Sequence, residues 1–476
     1  MLKTRGPTHI VVTTIRFLMV VICALPVLLL PHVAAGQAVV GGQNNPAVDV
    51  PAVQAAVDQG GSVLLVGTFD FGDAGRVLLR KDVDISGEIV GNATPVTTIR
   101  GGDWPFYSPL PAQMPPTQPG PKVTVQYIHF DGAKGVAVHL AYTGGASVHN
   151  NKMTGLRGRF LRFGPDKRVN FRRNGVVIGP FDSRPQTDIQ ITPLLVSGSI
   201  EVFDNDIDSS GAEDSTVTNA GAVLMAFIVG ADIRIENNVN VGCTRNCIGV
   251  FDAIPDSSGR GSIVIANNTV ISDVKVGYTV PGKRAPIGID VSFNFNRTLT
   301  FPPERQHVHL LIADNYIELH GVNSMGIIAA QNGAAVVDNT VVVHADPTQT
   351  TDLVSTTGGI MAATSHQVVL RNKIMGEGWN AIRIGGNTLG APRIDNVAIG
   401  NNISGFNAFT SGSDFSGSDF LLDVASASNT VVGNSGTVID NGKDNKITGF
   451  KPVKGGVGQD VSDAEQYWHD VTEVLE

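Results

Sequence analysis

The feature that most constrains the fold of this chain is a recurring phrase: an apolar run, an asparagine and a second apolar run. Two clear copies, LLIADNYIEL and AVVDNTVVV, have their asparagines at Asn315 and Asn339, 24 residues apart. The other copies centre on Asn151, Asn205, Asn238, Asn268, Asn372, Asn402, Asn434 and Asn445. Repeats of 20–50 residues are typical of solenoids, in which each turn buries its apolar side chains against neighbouring turns.

Each apolar run is short and rich in β-branched residues, as at Val341-Val342-Val343, which predicts strands and not helices. The asparagine between two runs tolerates the left-handed backbone of a sharp bend. If coils stack about 4.8 Å apart, these asparagines form a column and hydrogen-bond to one another. A third apolar strand follows each bend after a loop, beginning at Cys247, Gly288, Gly326, Gly359, Ala381 and Leu421.

This pattern resembles the right-handed parallel β-helix superfamily that contains the pectate lyases. The entry DVPAVQAAVDQGGSVLLVGTFDF is similar to that superfamily's capping helix and first strand, with Asp49 as the expected N-cap and Pro51 just inside the helix. Ser462 and Glu465 have the spacing of a capping box and predict a terminal helix. We therefore expect an all-β fold: a right-handed, single-stranded parallel β-helix with three short strands per coil and a capping helix at each end.

The chain divides by composition into four parts. A basic start, an apolar stretch and a small-residue exit predict a signal peptide over residues 1–35. An N-terminal cap is expected at 36–60, the β-helix at 61–455 with insertions near 101–122 and 156–193, and the C-terminal helix at 456–476. The protein is therefore expected to be secreted or periplasmic, with no integral membrane segment after cleavage, and monomeric.

Composition excludes some classes of function. The formal net charge of −9 argues against nucleic acid as a partner, because phosphate contacts need clustered lysine and arginine. Beyond the signal peptide the cysteines are Cys243 and Cys247, which an oxidising compartment would favour as a disulfide. Two buried thiols are the alternative, and a zinc site there would need further ligands.

The acidic stretch DNDIDSSGAED, residues 204–214, is similar to a calcium-binding loop but has Ser209 where that loop requires glycine. Ca²⁺ is therefore kept as a candidate cofactor without an assigned site, and a solvated acidic bend is the alternative.

Alternation along the third strands predicts which side chains face outward. One outward column reads Gly249, Asp290, Ile328, Met361, Arg383. In the last copy Leu422 and Val424 are expected to face inward, with Asp423 near the outward column. The superfamily usually binds substrate along this strand, so the resemblance makes Asp290 and Arg383 the candidate catalytic pair, about 14 Å apart across three coils.

Basic residues near this strand extend the candidate site. Lys283 and Arg284 precede Asp290 and are candidate catalytic partners, while Arg297, Arg305 and His307 follow it as candidate substrate-binding residues with Asp423. A second basic cluster in the 156–193 insertion adds the candidate substrate-binding residues Arg168, Arg172 and Arg173. Such a basic cluster in an acidic chain favours the binding of an anionic polysaccharide. A solvated insertion without a binding role is the alternative.

Two functions fit this pattern. The first is an exported carbohydrate-active enzyme, a lyase or hydrolase acting on an acidic polysaccharide. A hydrolase needs two carboxylates about 5–10 Å apart, and the column offers no such pair. The second is a non-catalytic extracellular β-helix that binds carbohydrate or mediates attachment, which the aliphatic centre of the column favours.

Overall fold

A computed structural model describes residues 36–91, 94–162, 168–181, 191–210, 221–244, 246–272, 286–292, 307–321, 324–344, 358–385, 393–406, 418–423 and 426–449, without the side chains of residues 159–174 and 418. The predicted signal peptide and C-terminal helix lie outside these residues.

Three long parallel sheets run the length of the described chain and confirm the predicted solenoid. Sheet 1 contains the strands Ala38–Gly41, Gly61–Val66, Val83–Gly87, Lys122–Gln126, Gly145–His149, Ser199–Phe203, Asp232–Glu236, Ser262–Ala266, His309–Ala313, Ala335–Val337, Val368–Leu370, Val397–Ile399, Thr430–Val432 and Lys446–Thr448. Sheet 2 contains Thr68–Asp70, Thr97–Arg100, Ile128–Asp131, Lys152–Thr154, Asp206–Asp208, Val239–Cys243, Thr269–Ser272, Tyr316–His320, Thr340–His344, Lys373–Gly376 and Asn402–Ser404.

Sheet 3 contains Arg76–Leu78, Trp104–Ser108, Val138–Leu140, Arg168–Ile178, Gly221–Ala226, Asn246–Phe251, Ile287–Ser292, Met325–Ala329, Gly358–Ala362, Asn380–Ile384, Ser418–Leu422 and Val438–Asp440, with Arg159–Arg162 antiparallel to Arg168–Ile178. There are also two small two-stranded sheets. One pairs Ile89–Val90 with Thr94–Pro95, and the other pairs Arg393–Ile394 with Ser426–Ala427. Each complete coil thus contributes one strand to each long sheet, in the order 1, 2, 3, and the coils at the two ends are incomplete.

Buried asparagines stack between sheets 1 and 2, as predicted. In a typical rung, Asn315 donates from Nδ2 to Asn339 Oδ1 (2.9 Å) and to the Ile265 carbonyl (2.9 Å). The ladder consists of Asn151, Asn205, Asn238, Asn268, Asn315, Asn339, Asn372, Asn401 and Asn434. Every asparagine–asparagine bond points to the next coil and the bonds to carbonyls such as Ile265 point to the preceding one, so the ladder fixes the register of the stack.

Two details of the predicted ladder are wrong. The rung assigned to Asn402 belongs to Asn401, which is buried, whereas Asn402 is exposed. Asn445 belongs to a second ladder at the corner between sheets 3 and 1, together with Asn396 and Asn429.

The left-handed residue of each bend is not the ladder asparagine but the residue before it. Asp314 and Asp338 both have φ 56°. The bend therefore turns the following asparagine side chain inward, where it is enclosed.

The interior is one continuous apolar core. It is filled by side chains such as Ile289, Ile327, Ile360 and Ile382, each at most 1% exposed. Neighbouring coils contribute equivalent side chains at the same registers. Because each coil buries these residues only against its neighbours, the stack as a whole supplies the hydrophobic stabilisation.

One helix, Pro46–Val57, packs on the first coil and buries Val53, Ala56 and Val57. Its N-cap is Asn45, whose Oδ1 accepts from the Ala47 amide (3.0 Å), and not Asp49 as expected from the sequence. The carboxylate of Asp49 instead accepts from the amides of Gln43, Asn45 and Asp70. These bonds tie the helix to sheet 2. No helix among the described residues has the length and apolar character to cross a membrane.

The segments predicted as insertions contain regular strands of sheet 3. Trp104–Ser108 pairs in parallel with Arg76–Leu78 and Val138–Leu140. Arg168–Ile178 pairs with Val138–Leu140 and Gly221–Ala226. The coil therefore continues through both segments, and the irregular residues are the connections around these strands.

Candidate functional site

The candidate site lies on the outer face of sheet 3, where strand pairing defines a column of side chains. Its C-terminal half reads Gly249, Asp290, Ile328, Met361, Arg383, Leu421 and Ile439. Asp290 and Arg383 occupy the same register three coils apart, about 14 Å at the spacing of paired strands. In the last predicted copy Phe420 and Leu422 face inward, so Leu421, and not Asp423, continues the column.

The N-terminal half of the outer face of sheet 3 is apolar and covered. Trp104, Tyr107, Val177, Leu224 and Phe251 are all buried there in a cluster separate from the interior core. Trp104 and Tyr107, which fall in the segment 101–122 expected to be an insertion, therefore anchor this surface. Neither Trp104 nor Tyr107 is available to stack on a sugar in this conformation.

A charged and aromatic cluster at this end was not predicted. The guanidinium of Arg76 lies 4.3 Å from the centroid of the Trp104 ring and 2.6 Å from Asp103 Oδ2. The imidazole of His139, fully buried, packs edge-on against Trp104 at 4.7 Å between centroids. The clue in the sequence was weak, because these residues come from three different coils and share no spacing.

Asp290 is enclosed by protein, with 2% of the residue exposed. The side-chain amide of Asn246, one coil earlier, donates a hydrogen bond to its carboxylate. In the strand register Asn246 lies opposite Ile287 and Asp290 lies opposite Gly249, so this bond joins two side chains on neighbouring strands that are not register partners. Asp290 is thus oriented and largely shielded from water.

Arg383 belongs to a group at the C-terminal end of sheet 3. Its Nη2 atom lies 3.4 Å from Asp423 Oδ2, and both side chains are nearly buried. Arg393 lies close enough to Asp423 to interact electrostatically, and burial of its guanidinium lowers the pKa of Arg393. The contact with Asp423 therefore orients the Arg383 guanidinium.

His307 lies at the corner between sheets 3 and 1. Its Nδ1 accepts a hydrogen bond from the Asn332 amide (3.0 Å), which requires an unprotonated Nδ1. Burial lowers the pKa of His307, opposed by a hydrogen bond with Gln331. The neutral imidazole is therefore the form that this corner accommodates.

The remaining predicted site residues are described only in part. Lys283, Arg284, Arg297 and Arg305 lie outside the described residues. Arg168, Arg172 and Arg173 lie on the strand Arg168–Ile178, whose described features there are those of the backbone.

At the predicted calcium loop, Asp204 forms the left-handed bend and Asn205 is a ladder residue. Asp208 accepts from the Ser210 amide (2.9 Å), as in an ordinary turn. Residues 211–214 lie outside the described chain. Elsewhere, the Sγ atoms of Cys243 and Cys247 are joined in a disulfide.

A second cluster of polar side chains lies on the outer face of sheet 2. Glu318 Oε1 is 3.0 Å from His344 Nε2 and 3.5 Å from His320 Nε2. The phenol of Tyr316 donates to Glu318 Oε2 (2.8 Å), and this bond is the main cause that lowers the pKa of Glu318. Sequence reasoning overlooked a signal, since each histidine follows a ladder asparagine by five residues.

The three stacked parallel sheets make this chain a parallel β-helix. No family model and no curated protein matches the sequence. Three solved structures illustrate its similarities. The first is PfbA, a surface adhesin of Streptococcus pneumoniae, at 11% identity and TM-score 0.38, with 89% of this chain and 96% of that chain covered.

The second is the alginate lyase AlyF-OU02, at 12% identity and TM-score 0.46, with 90% and 91% covered. The third is a PL6 family polysaccharide lyase from Pseudopedobacter saltans, at 12% identity and TM-score 0.34, with 88% of both chains covered.

Proposed function

We propose that this protein is an exported carbohydrate-active β-helix protein that binds an acidic polysaccharide along the outer face of sheet 3 and cleaves it as a lyase. The observation that carries the proposal is the shared column of Asp290 and Arg383, three coils apart. A separation of about 14 Å suits an extended chain of several sugar units lying along the axis.

The chemistry divides between the two ends of the column. A lyase removes the proton from the carbon beside the sugar carboxylate, a double bond forms, and the glycosidic oxygen leaves with the bonding electron pair and takes a proton from water. Asp290 is the candidate base, and the basic partners expected beside it, Lys283 and Arg284, would stabilise the charge that develops on the carboxylate. Arg383 is too far away to act on the same sugar, so its role is to bind the carboxylate of a distant unit.

The surroundings of Arg383 support this binding role. Asp423 holds the guanidinium in place, and an oriented arginine binds a carboxylate with less loss of side-chain entropy than a free one. Between the two ends, Ile328 and Met361 are half-buried and offer an apolar floor. Such a surface suits the faces of sugar rings, with charge recognised at its ends.

The second candidate function is binding without catalysis. It is favoured by the burial of Asp290, whose carboxylate already accepts from Asn246 and has 2% exposure. A base that must reach a substrate proton is usually more accessible to solvent than the carboxylate of Asp290 is here. In a binding protein the same carboxylate would simply organise the strand.

The test is incubation of the purified protein with pectate, alginate and glycosaminoglycans, following the ultraviolet absorbance of unsaturated products and, separately, binding by calorimetry. A lyase gives rising absorbance on one of these substrates, and both Asp290→Asn and Arg383→Ala abolish it. Arg371→Ala is the matched control, since Arg371 also pairs with an aspartate, Asp338 at 2.6 Å, but lies away from this column.

The outcomes separate the two functions. Binding without product, weakened by Arg383→Ala but not by Arg371→Ala, assigns the binding function. Full activity or binding in both column variants overturns the placement of the site on sheet 3.

A further inference from the structure

We propose that Glu318, His320 and His344 form a zinc-binding site on the outer face of sheet 2. The inference goes beyond the proposed function, because these residues lie on a different sheet from the Asp290–Arg383 column. One potential ligand atom from each residue lies within 4.8 Å of the others. No other group of this kind occurs among the described residues.

The distances match the geometry of a tetrahedral ion. Zinc bonds of about 2.0–2.1 Å at tetrahedral angles separate neighbouring ligand atoms by about 3.3 Å. Glu318 Oε1 lies 3.0 Å from His344 Nε2 and 3.5 Å from His320 Nε2, which brackets that value. Binding one ion through all three atoms also requires the two imidazole rings, which are nearly parallel at 14°, to rotate until both Nε2 lone pairs point at the ion, because each lone pair lies in its ring plane.

The backbone holds the ligands in place. Glu318 and His320 are two residues apart on one strand and so share its outer face, and His320 pairs in register with His344 on the next coil. The two imidazole rings are stacked at 4.5 Å between centroids with 14° between their planes. Both ring edges are thus presented side by side towards the same carboxylate.

Tyr316 supplies the orienting contact that metal-binding carboxylates commonly have. Its hydroxyl donates to Glu318 Oε2, leaving Oε1 directed at the histidines. Partners of this type fix the ligand and are worth about 10–100-fold in metal affinity. Tyr316 is therefore a positioning residue of the site.

The donor set selects the class of ion. Two imidazoles and one carboxylate suit zinc, whereas calcium prefers six to eight oxygen ligands. The three side chains are partly accessible, with 27%, 20% and 45% exposed for Glu318, His320 and His344. A fourth position is thereby open to water or to a ligand from solution.

The experiment is titration of the full protein with zinc chloride by calorimetry, with cobalt(II) absorption as a second readout of tetrahedral coordination. We expect one ion per chain. Glu318→Gln, His320→Ala and His344→Ala each lower the affinity by at least about 100-fold, and Tyr316→Phe lowers it about 10-fold. Circular dichroism and thermal melting verify that each variant remains folded.

His366→Ala is the matched control. His366 also faces a carboxylate, Asp395 at 3.8 Å, but has no third metal ligand beside it in the described chain. Its replacement leaves zinc affinity unchanged. Absence of zinc uptake by the folded wild-type protein, or wild-type affinity in the three ligand variants, overturns the proposal, and neither result bears on polysaccharide binding.

Discussion

At the scale of single residues, the asparagine ladder is where one side chain affects the most hydrogen bonds. Asn401 Oδ1 accepts from both the amide and the Nδ2 of Asn372 (3.0 Å each), and its own Nδ2 donates to the Val369 carbonyl and to Asn434. All of these groups are buried. Removing the side chain would therefore leave buried donors and acceptors without partners.

We expect Asn401→Ala to lower the free energy of unfolding by about 2–4 kcal/mol, from the loss of a few buried hydrogen bonds. The neighbouring Asn402→Ala is the control and should change it by less than about 0.5 kcal/mol, because that side chain is exposed. Urea denaturation followed by circular dichroism measures both. Equal losses in the two variants would contradict the assignment of the rung to Asn401.

A second prediction at this scale concerns pH. Burial lowers the pKa of His307 in the folded state, so between that pKa and the unfolded value of about 6.5 the unfolded chain binds more protons. The free energy of unfolding should therefore fall as the pH is lowered through about 6.5.

His307→Gln keeps an acceptor for the Asn332 amide without a titrating group. We expect the stability of the wild type to fall relative to this variant between about pH 7.5 and 5. Denaturation curves of the two proteins, measured across that pH range, give the difference between their free energies of unfolding at each pH. Parallel stability profiles would show that His307 is equally easy to protonate in both states.

At the scale of the element, close packing at the start of the sheet 3 strands explains why glycine is the second residue of several of them. A Cβ atom on Gly326 would lie 2.4 Å from Val341 Cγ1 and 2.5 Å from the Gly359 carbonyl oxygen. Gly288 and Gly359 are similarly crowded by Ile317 and Ile374. The glycine is thus required by close packing between coils and not by a left-handed backbone.

Gly326→Ala is accordingly expected to destabilise the protein by about 1–3 kcal/mol, the cost of overpacking a filled core. Gly41→Ala is the control, since a Cβ there meets no atom within 4 Å. Shifts in the urea midpoint report the difference. A Gly326→Ala protein as stable as the control would mean that the packing there can relax.

Elements also show how far the sequence could predict the structure. Sheets 1 and 2 were predictable from Asn151 onward because an asparagine marks each bend between them there, whereas the earlier bends at Gly67 and Tyr127 carry none. The third strands Trp104–Ser108 and Arg168–Ile178 were not, because the sequence of the first is mostly aromatic and that of the second is rich in arginine, so neither shows an alternating apolar pattern. The Glu318–His344 cluster could be predicted only from the register between coils. That register is obtained by counting residues from each ladder asparagine.

At the scale of the whole molecule, each coil interacts with its neighbours through the same registers, so a coil should be removable as a unit. Residues 315–338 form one coil, since Asn315 and Asn339 occupy adjacent rungs 24 residues apart. Their deletion would place Asn268 against Asn339 and Ile289 against Ile360, pairs of the same kind as those lost.

We therefore expect the 315–338 deletion to fold, with β-sheet circular dichroism and a cooperative melt. It shortens the Asp290–Arg383 separation from about 14 to about 10 Å, so polysaccharide bound by both residues should be held less tightly. Zinc binding should be lost, because Glu318 and His320 are removed.

Deletion of residues 315–326 is the control. Removing half a coil would bring a sheet 3 strand to the position of a sheet 2 strand and should prevent folding. If both deletions fail to fold alike, the coils are not interchangeable units and the ladder does not set the register.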